Sequence, residues 1–207
     1  MDKVSYFIGS QIGGNIAQNW LDLEAERGPS PFEQRHQFRF NVQYSTGQGL
    51  GGGALVGGVV GALFRGWTMT SNLTAASGTP RTPIYRVTSV AGVTGTVRAD
   101  LTGEPIDAAP PGYYVNPAAF APPAAGAWGN APRNSLRGPG QFSLNGGLSR
   151  NFILRNRLQL NWQLNATNLL NRVTYSNIST TVGSPQFGLP ISAGTMRRIT
   201  TSTSLRF

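Results

Sequence analysis

The stretch "RLQLNWQLNATN", residues 157–168, alternates two chemical classes of side chain along the chain. Side chains of a β-strand point to opposite faces with period two, so this stretch predicts a strand with one apolar face and one polar, uncharged face. In a soluble sandwich the apolar face would contact a second sheet, whereas in an outer-membrane barrel it would contact lipid. The apolar set is Leu158, Leu160, Trp162, Leu164 and Ala166, and the polar set is Gln159, Asn161, Gln163, Asn165 and Thr167.

Four other stretches repeat this alternation and predict further strands. No segment shows the apolar spacing of an amphipathic helix. The sequence therefore predicts an all-β fold built on five strands. The four stretches are "RHQFRFNVQY" (35–44), "GWTMTSNLT" (66–74), "QFSLNGGLSRNF" (141–152) and "RITTSTSLRF" (198–207).

The connections between the predicted strands alternate in length. Residues 151–157 predict a tight turn, and 46–66 predict a glycine-rich connection whose inner apolar part extends the flanking strands. Residues 78–139 hold ten of the fourteen prolines, and 169–194 form a second long connection. Compact domains mostly use loops of about 4–6 residues, whereas outer-membrane barrels alternate short periplasmic turns with long extracellular loops. Inside the longer connection, "IYRVTSVAG" and "VTGTVRAD" predict an extra hairpin.

The composition is unusual for a soluble protein. Of the 207 residues, 12% are charged, against roughly 25% in an average soluble domain. The absence of cysteine excludes disulfides and thiolate metal sites. There is no run of about 18 apolar residues for a membrane helix, and "DKVSYFIGS" after Met1 has no signal-peptide core. From this pattern we expect either a cytoplasmic chain or one whose true N-terminus is missing.

The net charge of +9 at pH 7 suggests nucleic-acid binding as one hypothesis, since clustered Lys and Arg release counterions from phosphate. However, sixteen of the seventeen basic residues are arginines, and they are spread singly along the predicted strands and loops. No acidic residue follows Asp107. The C-terminal half is therefore expected to attract anions such as lipid phosphates or an anionic solute, and we predict no nucleic-acid partner.

Two motifs resemble catalytic or cofactor sites. The run "GQGLGG" (47–52) fits G-x-G-x-x-G, but a dinucleotide site also needs a following helix and an acidic residue about 20 positions on. We interpret it as a turn. His36 is the only histidine, which excludes a multi-histidine metal site and leaves a Ser-His-Asp triad dependent on one residue. We therefore predict no enzyme and no cofactor.

The acidic residues Asp22, Glu24 and Glu26 would share one face of an extended segment. Carboxylates so placed could bind calcium. We favour a solvated loop whose carboxylates pair with Arg27 or Arg35, and we predict no metal site.

Several long blocks of the chain resemble segments of one protein family. The run "DLEAERGPSPFEQRHQFRFNVQYSTG" is similar to a segment "ERGPS-x-F-x-x-RH-x-F". This run is followed by the blocks "GWTMTSNLTAASGTP", "YYVNPAAFAPPAAGAWGNAPRNSLRGPGQFSLNGGLSRNF", "LQLNWQLNATNLLNRVTYSN" and "GSPQFGLPISAGTMRRI". In this order the blocks resemble the end of the barrel of Oar-like TonB-dependent receptors, the carboxypeptidase-regulatory-like-domain-containing transporters typical of Acidobacteria.

The resemblance implies the C-terminal portion of a roughly 22-stranded outer-membrane transporter that takes up an unidentified ligand with energy from TonB. The expected fold is a partial antiparallel transmembrane β-barrel, about five to six strands of a larger barrel, with long extracellular loops. The expected partners are outer-membrane lipid, lipopolysaccharide and the barrel-assembly machinery. The family's plug and N-terminal domains are expected to be absent, so TonB would be contacted only through missing parts and the fragment would not function alone.

This interpretation assigns each segment a place. Residues 1–35 are an extracellular loop, 36–77 a hairpin, 78–139 a long extracellular loop, and 140–207 the last three strands. The connections 46–66 and 151–157 are periplasmic, and 169–194 is extracellular.

The end of the sequence predicts a C-terminal assembly signal. The last strand of outer-membrane proteins carries a terminal aromatic residue with apolar residues at alternating positions before it. Period two keeps such residues on the lipid side, where the aromatic ring can lie at the membrane interface. The residues that fit are Phe207, Leu205, Thr203, Thr201 and Ile199, and Arg206 is expected to face the lumen.

One alternative explains the alternation equally well. A soluble all-β binding module, such as a sandwich or a lectin-like domain, would bury the apolar face against a second sheet.

Overall fold

The computed structural model describes residues 17–19, 21–47, 57–90, 93–155 and 158–207. Among them are helix α1 (Gly58–Phe64) and a 3₁₀ turn (Pro117–Ala119). The strands are β1 (Gln37–Ser45), β2 (Trp67–Ala76), β3 (Pro80–Arg81), β4 (Ile84–Val90), β5 (Val93–Arg98), β6 (Asp100–Leu101), β7 (Phe120–Ala121), β8 (Leu136–Arg137), β9 (Gln141–Arg155), β10 (Leu158–Thr167), β11 (Tyr175–Ile178), β12 (Pro190–Ala193) and β13 (Arg198–Arg206).

The chain divides into two compact units. The sheet unit comprises residues 37–76, 141–174 and 194–207. The loop unit comprises 77–140, 175–193 and the described part of 1–36. The predicted all-β fold is confirmed, and the five predicted strands are those of the sheet unit.

The sheet unit is one five-stranded antiparallel sheet in the order β1-β2-β9-β10-β13. Its register aligns residues of the same class across all five strands. One apolar row runs from Tyr44 to Thr201 through Met69, Leu148 and Leu164. Among the described residues, β1 and β13 each pair with only one neighbouring strand, so the sheet is open at both edges.

Helix α1 occupies the place where the sequence predicted strand extensions. β1 ends at Ser45 and β2 begins at Trp67, so the predicted strand extension within the connection 46–66 is wrong for the described residues. The helix contains only seven residues, which is too short for a spacing pattern to identify. Gly58 at its start has φ +66, a left-handed conformation that glycine adopts without a steric penalty. Of the glycine motif 47–52, residues 48–52 lie outside the described residues.

Strand β9 is longer than predicted. It continues to Arg155, and Phe152 pairs with Leu160 of β10. Residues 151–155 are therefore strand and not turn, because their backbone continues the pairing with β10. Residues 156–157, between the two strands, lie outside the described residues.

The loop unit has its own hydrophobic core. The predicted hairpin is confirmed as β4 and β5, which pair antiparallel. A second hairpin, β11 and β12, lies within 169–194 and was not predicted. The long connections thus fold into one packed unit with its own secondary structure. The buried core cluster consists of Ala99, Val115, Ala119, Phe120, Ala131, Leu136, Val182 and Phe187.

A buried ion pair links two distant segments of the loop unit. Arg98 Nη1 lies 3.0 Å from Glu26 Oε2, and the two side chains are 8% and 2% exposed. The backbone N–H of Gln18 donates to Glu26 Oε1 at 3.1 Å. The prediction of a solvated loop is therefore wrong for Glu26. Successive turns, with Glu26 N–H donating to the Leu23 carbonyl, replace the extended segment that the prediction assumed.

Replacing Glu26 with Ala is expected to destabilise the loop unit. Removal of one partner leaves the buried Arg98 charge uncompensated, which typically costs roughly 3–5 kcal/mol. The matched control is Glu24→Ala, because Glu24 pairs with Arg27 at 2.7 Å on the surface, where both side chains are more than half exposed, and such pairs contribute under about 1 kcal/mol. Trypsin should cleave the detergent-extracted Glu26→Ala protein many times faster than the control. Equal cleavage rates would contradict the assigned role of the pair.

Candidate functional site

The polar face of the sheet consists of amide and hydroxyl side chains. One row crosses all five strands, from Gln43 through Thr70, Gly147 and Asn165 to Thr200. No Asp, Glu or Lys occurs in the five strands, and the charged residues at polar-face register positions are arginines. These arginines are Arg39, Arg198 and Arg206.

A groove of about 490 Å³ lies over the middle of this face. Asn72 Nδ2 donates to Asn41 Oδ1 across β1 and β2. Gly147 keeps the groove floor low, because a Cβ there would lie 2.5 Å from Thr70 Oγ1. Amide side chains both donate and accept hydrogen bonds. The groove can therefore bind neutral polar groups that are hydrogen-bond donors or acceptors. Its amide side chains are Asn41, Gln43, Asn72, Asn145 and Asn165.

The opposite face of the sheet is apolar and largely uncovered. Phe38 and Phe40 of β1 stack with ring centroids 6.4 Å apart, yet each is more than half exposed. Exposed apolar area of this extent marks a contact with another apolar phase or a partner. The other exposed large apolar residues of the five strands on this face are Val42, Tyr44, Met69, Leu154, Ile199 and Leu205.

Arg150 is a charged residue on this apolar face. Its register partners are Trp67 of β2 and Trp162 of β10. The guanidinium carbon lies 4.7 Å from the centroid of Phe152 and 5.3 Å from that of Trp67, both within cation–π range. The sequence alone assigned no role to Arg150. The alternation from Leu148 contains the signal, since the next position on the same face is residue 150.

The predicted assembly-signal residues lie on the same apolar face, except that Phe207 follows the last residue of β13. They pair with the apolar residues of β10: Ile199 with Ala166, Thr201 with Leu164, Thr203 with Trp162, and Leu205 with Leu160. Arg206 pairs with Gln159 on the polar face. Their role in assembly stays a prediction.

The acidic residues and the histidine do not form a site together. Three of the glutamates form ion pairs: Glu26 with Arg98, Glu24 with Arg27, and Glu33 with Arg137 at 3.1 Å. His36 precedes β1, where its backbone N–H donates to Ser77 Oγ. Within the part of the chain that the structure describes, no three His, Cys, Asp or Glu side chains form a group that could hold a metal ion.

A sheet with one apolar and one polar face, whose connections alternate between short and long, is typical of the wall of an outer-membrane β-barrel. The family model described as outer membrane beta barrel domain matches residues 1–200, and the chain belongs to this family. Comparison with curated proteins and with solved structures gave no match. In the described residues, no helix is long and apolar enough to cross a membrane.

Family membership confirms two predictions. The fold is a partial antiparallel transmembrane β-barrel, and the protein is located in the outer membrane. The alternative of a soluble sandwich or lectin-like module is inconsistent with this membership.

Cysteine labelling should separate the two faces of β10. The 207 residues contain no cysteine, so Gln163→Cys and Leu164→Cys give adjacent single reporters on opposite faces. In outer membranes from cells expressing the natural gene, a charged maleimide should label the Gln163→Cys variant from water. The thiol of the Leu164→Cys variant faces lipid and should react several-fold more slowly until the protein is denatured. Faster labelling at position 164 would contradict the assignment of the faces.

Proposed function

We propose that the chain is part of an outer-membrane transporter of the TonB-dependent receptor type, of the Oar-like group. In this proposal the five-stranded sheet is a segment of the barrel wall. The apolar face contacts lipid, and the amide and hydroxyl face lines the lumen, where it contacts the plug or the transported solute.

The observation that carries this proposal is a polar face built without Asp, Glu or Lys. One row of amides and hydroxyls runs unbroken across the five strands, from Ser45 to Ser202, with Thr68, Ser149 and Gln163 between them. A structural core would not bury so many polar groups without dedicated partners. A lumen supplies those partners, because water, a plug and a polar solute can all exchange hydrogen bonds with amides. The arginines of this face favour neutral or anionic solutes over cations.

The size and order of the long connections also support a large transporter. The segments 77–140 and 175–193, with the described part of 1–36, build a unit with a hydrophobic core, two hairpins and a buried ion pair. Small structural barrels do not need folded units in their connections. A receptor uses ordered extracellular surfaces to select its ligand. The resemblance of successive sequence blocks to Oar-like receptors points the same way.

In this proposal the protein is a transporter and not an enzyme. Its partners are outer-membrane lipid and lipopolysaccharide, the barrel-assembly machinery, and TonB through segments outside these 207 residues. The amides and hydroxyls of the groove bind a solute reversibly, and nucleic acid is not a partner.

Cross-linking to TonB tests the energy coupling. In cells expressing the natural gene, formaldehyde should produce a species of the combined mass of the protein and TonB, detected with antibodies to both. This species should be absent from cells that lack TonB. The control is an outer-membrane barrel without TonB coupling in the same cells, which should give no such species. If an established TonB-dependent receptor cross-links under these conditions and this protein does not, the proposal is wrong.

A further inference from the structure

A cleft of about 530 Å³ opens between helix α1 and the end of strand β9 in the sheet unit. The helix side is lined by glycines, including Gly57 and Gly61, and the strand side by residues 150–154. Two arginines, Arg65 and Arg150, line it. The cleft therefore combines two cations with a glycine-lined wall at the end of the sheet where the predicted periplasmic connections lie.

Arg150 is fixed in place beside this cleft. Its Nη1 donates to the Leu63 carbonyl at 2.6 Å, and the indole Nε1 of Trp67 donates to the same carbonyl at 2.9 Å. The ring faces of Trp67 and Phe152 hold the guanidinium by cation–π contact. A guanidinium has five N–H donors in a planar fork, which suits simultaneous contact with a carbonyl and a phosphate.

The residues around the cleft provide an apolar support. Val59 and Val60 of α1, with Leu63 and Phe64 one turn later, are each more than half exposed. Helix α1 contains no charged residue. Because Leu63 accepts hydrogen bonds from two side chains of the apolar face, this exposed helix is continuous with the face that contacts lipid. Aromatic residues and arginine at a barrel end are suited to the membrane interface.

The side chains of the sheet unit include no carboxylate. Neither Asp nor Glu occurs in residues 37–76, 141–174 or 194–207. No acidic side chain of this unit can therefore occupy the cleft. At an interface between hydrocarbon and water, the abundant anion is the phosphate of a phospholipid headgroup.

We propose that the cleft between α1 and β9 is a binding site for the headgroup phosphate of an anionic phospholipid. Arg65 and Arg150 bind the phosphate oxygens, and the exposed apolar residues of α1 pack against the acyl chains. The site anchors the α1 connection to the membrane interface and sets the depth of the barrel end. This inference depends on outer-membrane membership and not on energy coupling by TonB, so the TonB cross-linking result does not affect it.

Tryptophan quenching tests the site directly. The protein, expressed from its natural gene and purified in a nonionic detergent, is titrated with brominated phosphatidylglycerol and, separately, with brominated phosphatidylcholine. Trp67 donates to the Leu63 carbonyl beside the cleft, and its ring packs against that of Trp162 with centroids 5.7 Å apart. Phosphatidylglycerol should quench the emission at a concentration at least about tenfold lower than phosphatidylcholine.

The arginine variants show whether the cleft causes this preference. Arg65→Gln combined with Arg150→Gln should abolish it, whereas Arg39→Gln, which removes an arginine from the polar face, should leave it intact. Heat-modifiable migration checks that each variant is folded. If the double variant does not fold, the exposed Arg65→Gln variant should by itself lower the preference at least about threefold.

Three results would overturn the proposal. The first is equal quenching of the wild-type protein by the two lipids. The second is a preference that survives in the folded arginine variants. The third is loss of the preference when millimolar inorganic phosphate is added, which would assign the cleft to a free anion and not to a lipid.

Discussion

Inside a membrane, water cannot satisfy backbone N–H and C=O groups, so each of them must find a partner within the protein. An antiparallel sheet meets this requirement strand by strand. Among the possible registers, the one that keeps the apolar side chains on a single face is selected. Once the register is fixed, period two assigns every side chain to one of two faces. The row from Tyr44 to Thr201 and the row from Gln43 to Thr200 are adjacent in the sheet and opposite in chemistry. The same constraint requires the edges β1 and β13 to pair with further strands in lipid.

The loop unit follows a different constraint, because its segments are held by a core and by single polar contacts between distant segments and not by one continuous sheet. Leu136 and Ile178 are almost fully buried. Asn134, at φ 55, donates to the Pro29 carbonyl and hydrogen-bonds with Thr82. The Glu26–Arg98 pair adds a buried electrostatic contact. Such an arrangement can keep its own shape, as a scaffold does for binding loops.

The sequence predicts the elements that follow one period over many residues and misses those determined by single contacts. The strands around Phe40, Met69 and Leu164 could be identified because alternation over about eight or more residues is specific to strands. Helix α1 is too short for a period, and glycines and apolar residues are equally compatible with strand ends. The burial of Glu26 depends on Arg98, a partner 72 positions away in sequence, which no local pattern contains.

The candidate site shows the same division. The alternation of β10 already indicates that amides line one face of the sheet. That Asn41, Asn72 and Asn165 line the same groove could not be predicted, because it depends on the register between strands. Arg150 was missed because an arginine interrupts an apolar set, and only its neighbours Trp67 and Phe152 make that position favourable. An isolated charge on a lipid-facing side is tolerated near the interface, where a long side chain reaches the polar layer.

The central claim is that one face of this sheet contacts lipid along its whole length. A spin-label scan of β2, residues 68–75, in outer membranes from cells expressing the natural gene tests it most directly. Collision rates with oxygen, which dissolves in lipid, should peak at positions 69, 71, 73 and 75. Rates with a water-soluble nickel complex should peak at 68, 70, 72 and 74. Oxygen accessibility without this period of two, or a pattern shifted by one residue, would contradict the account.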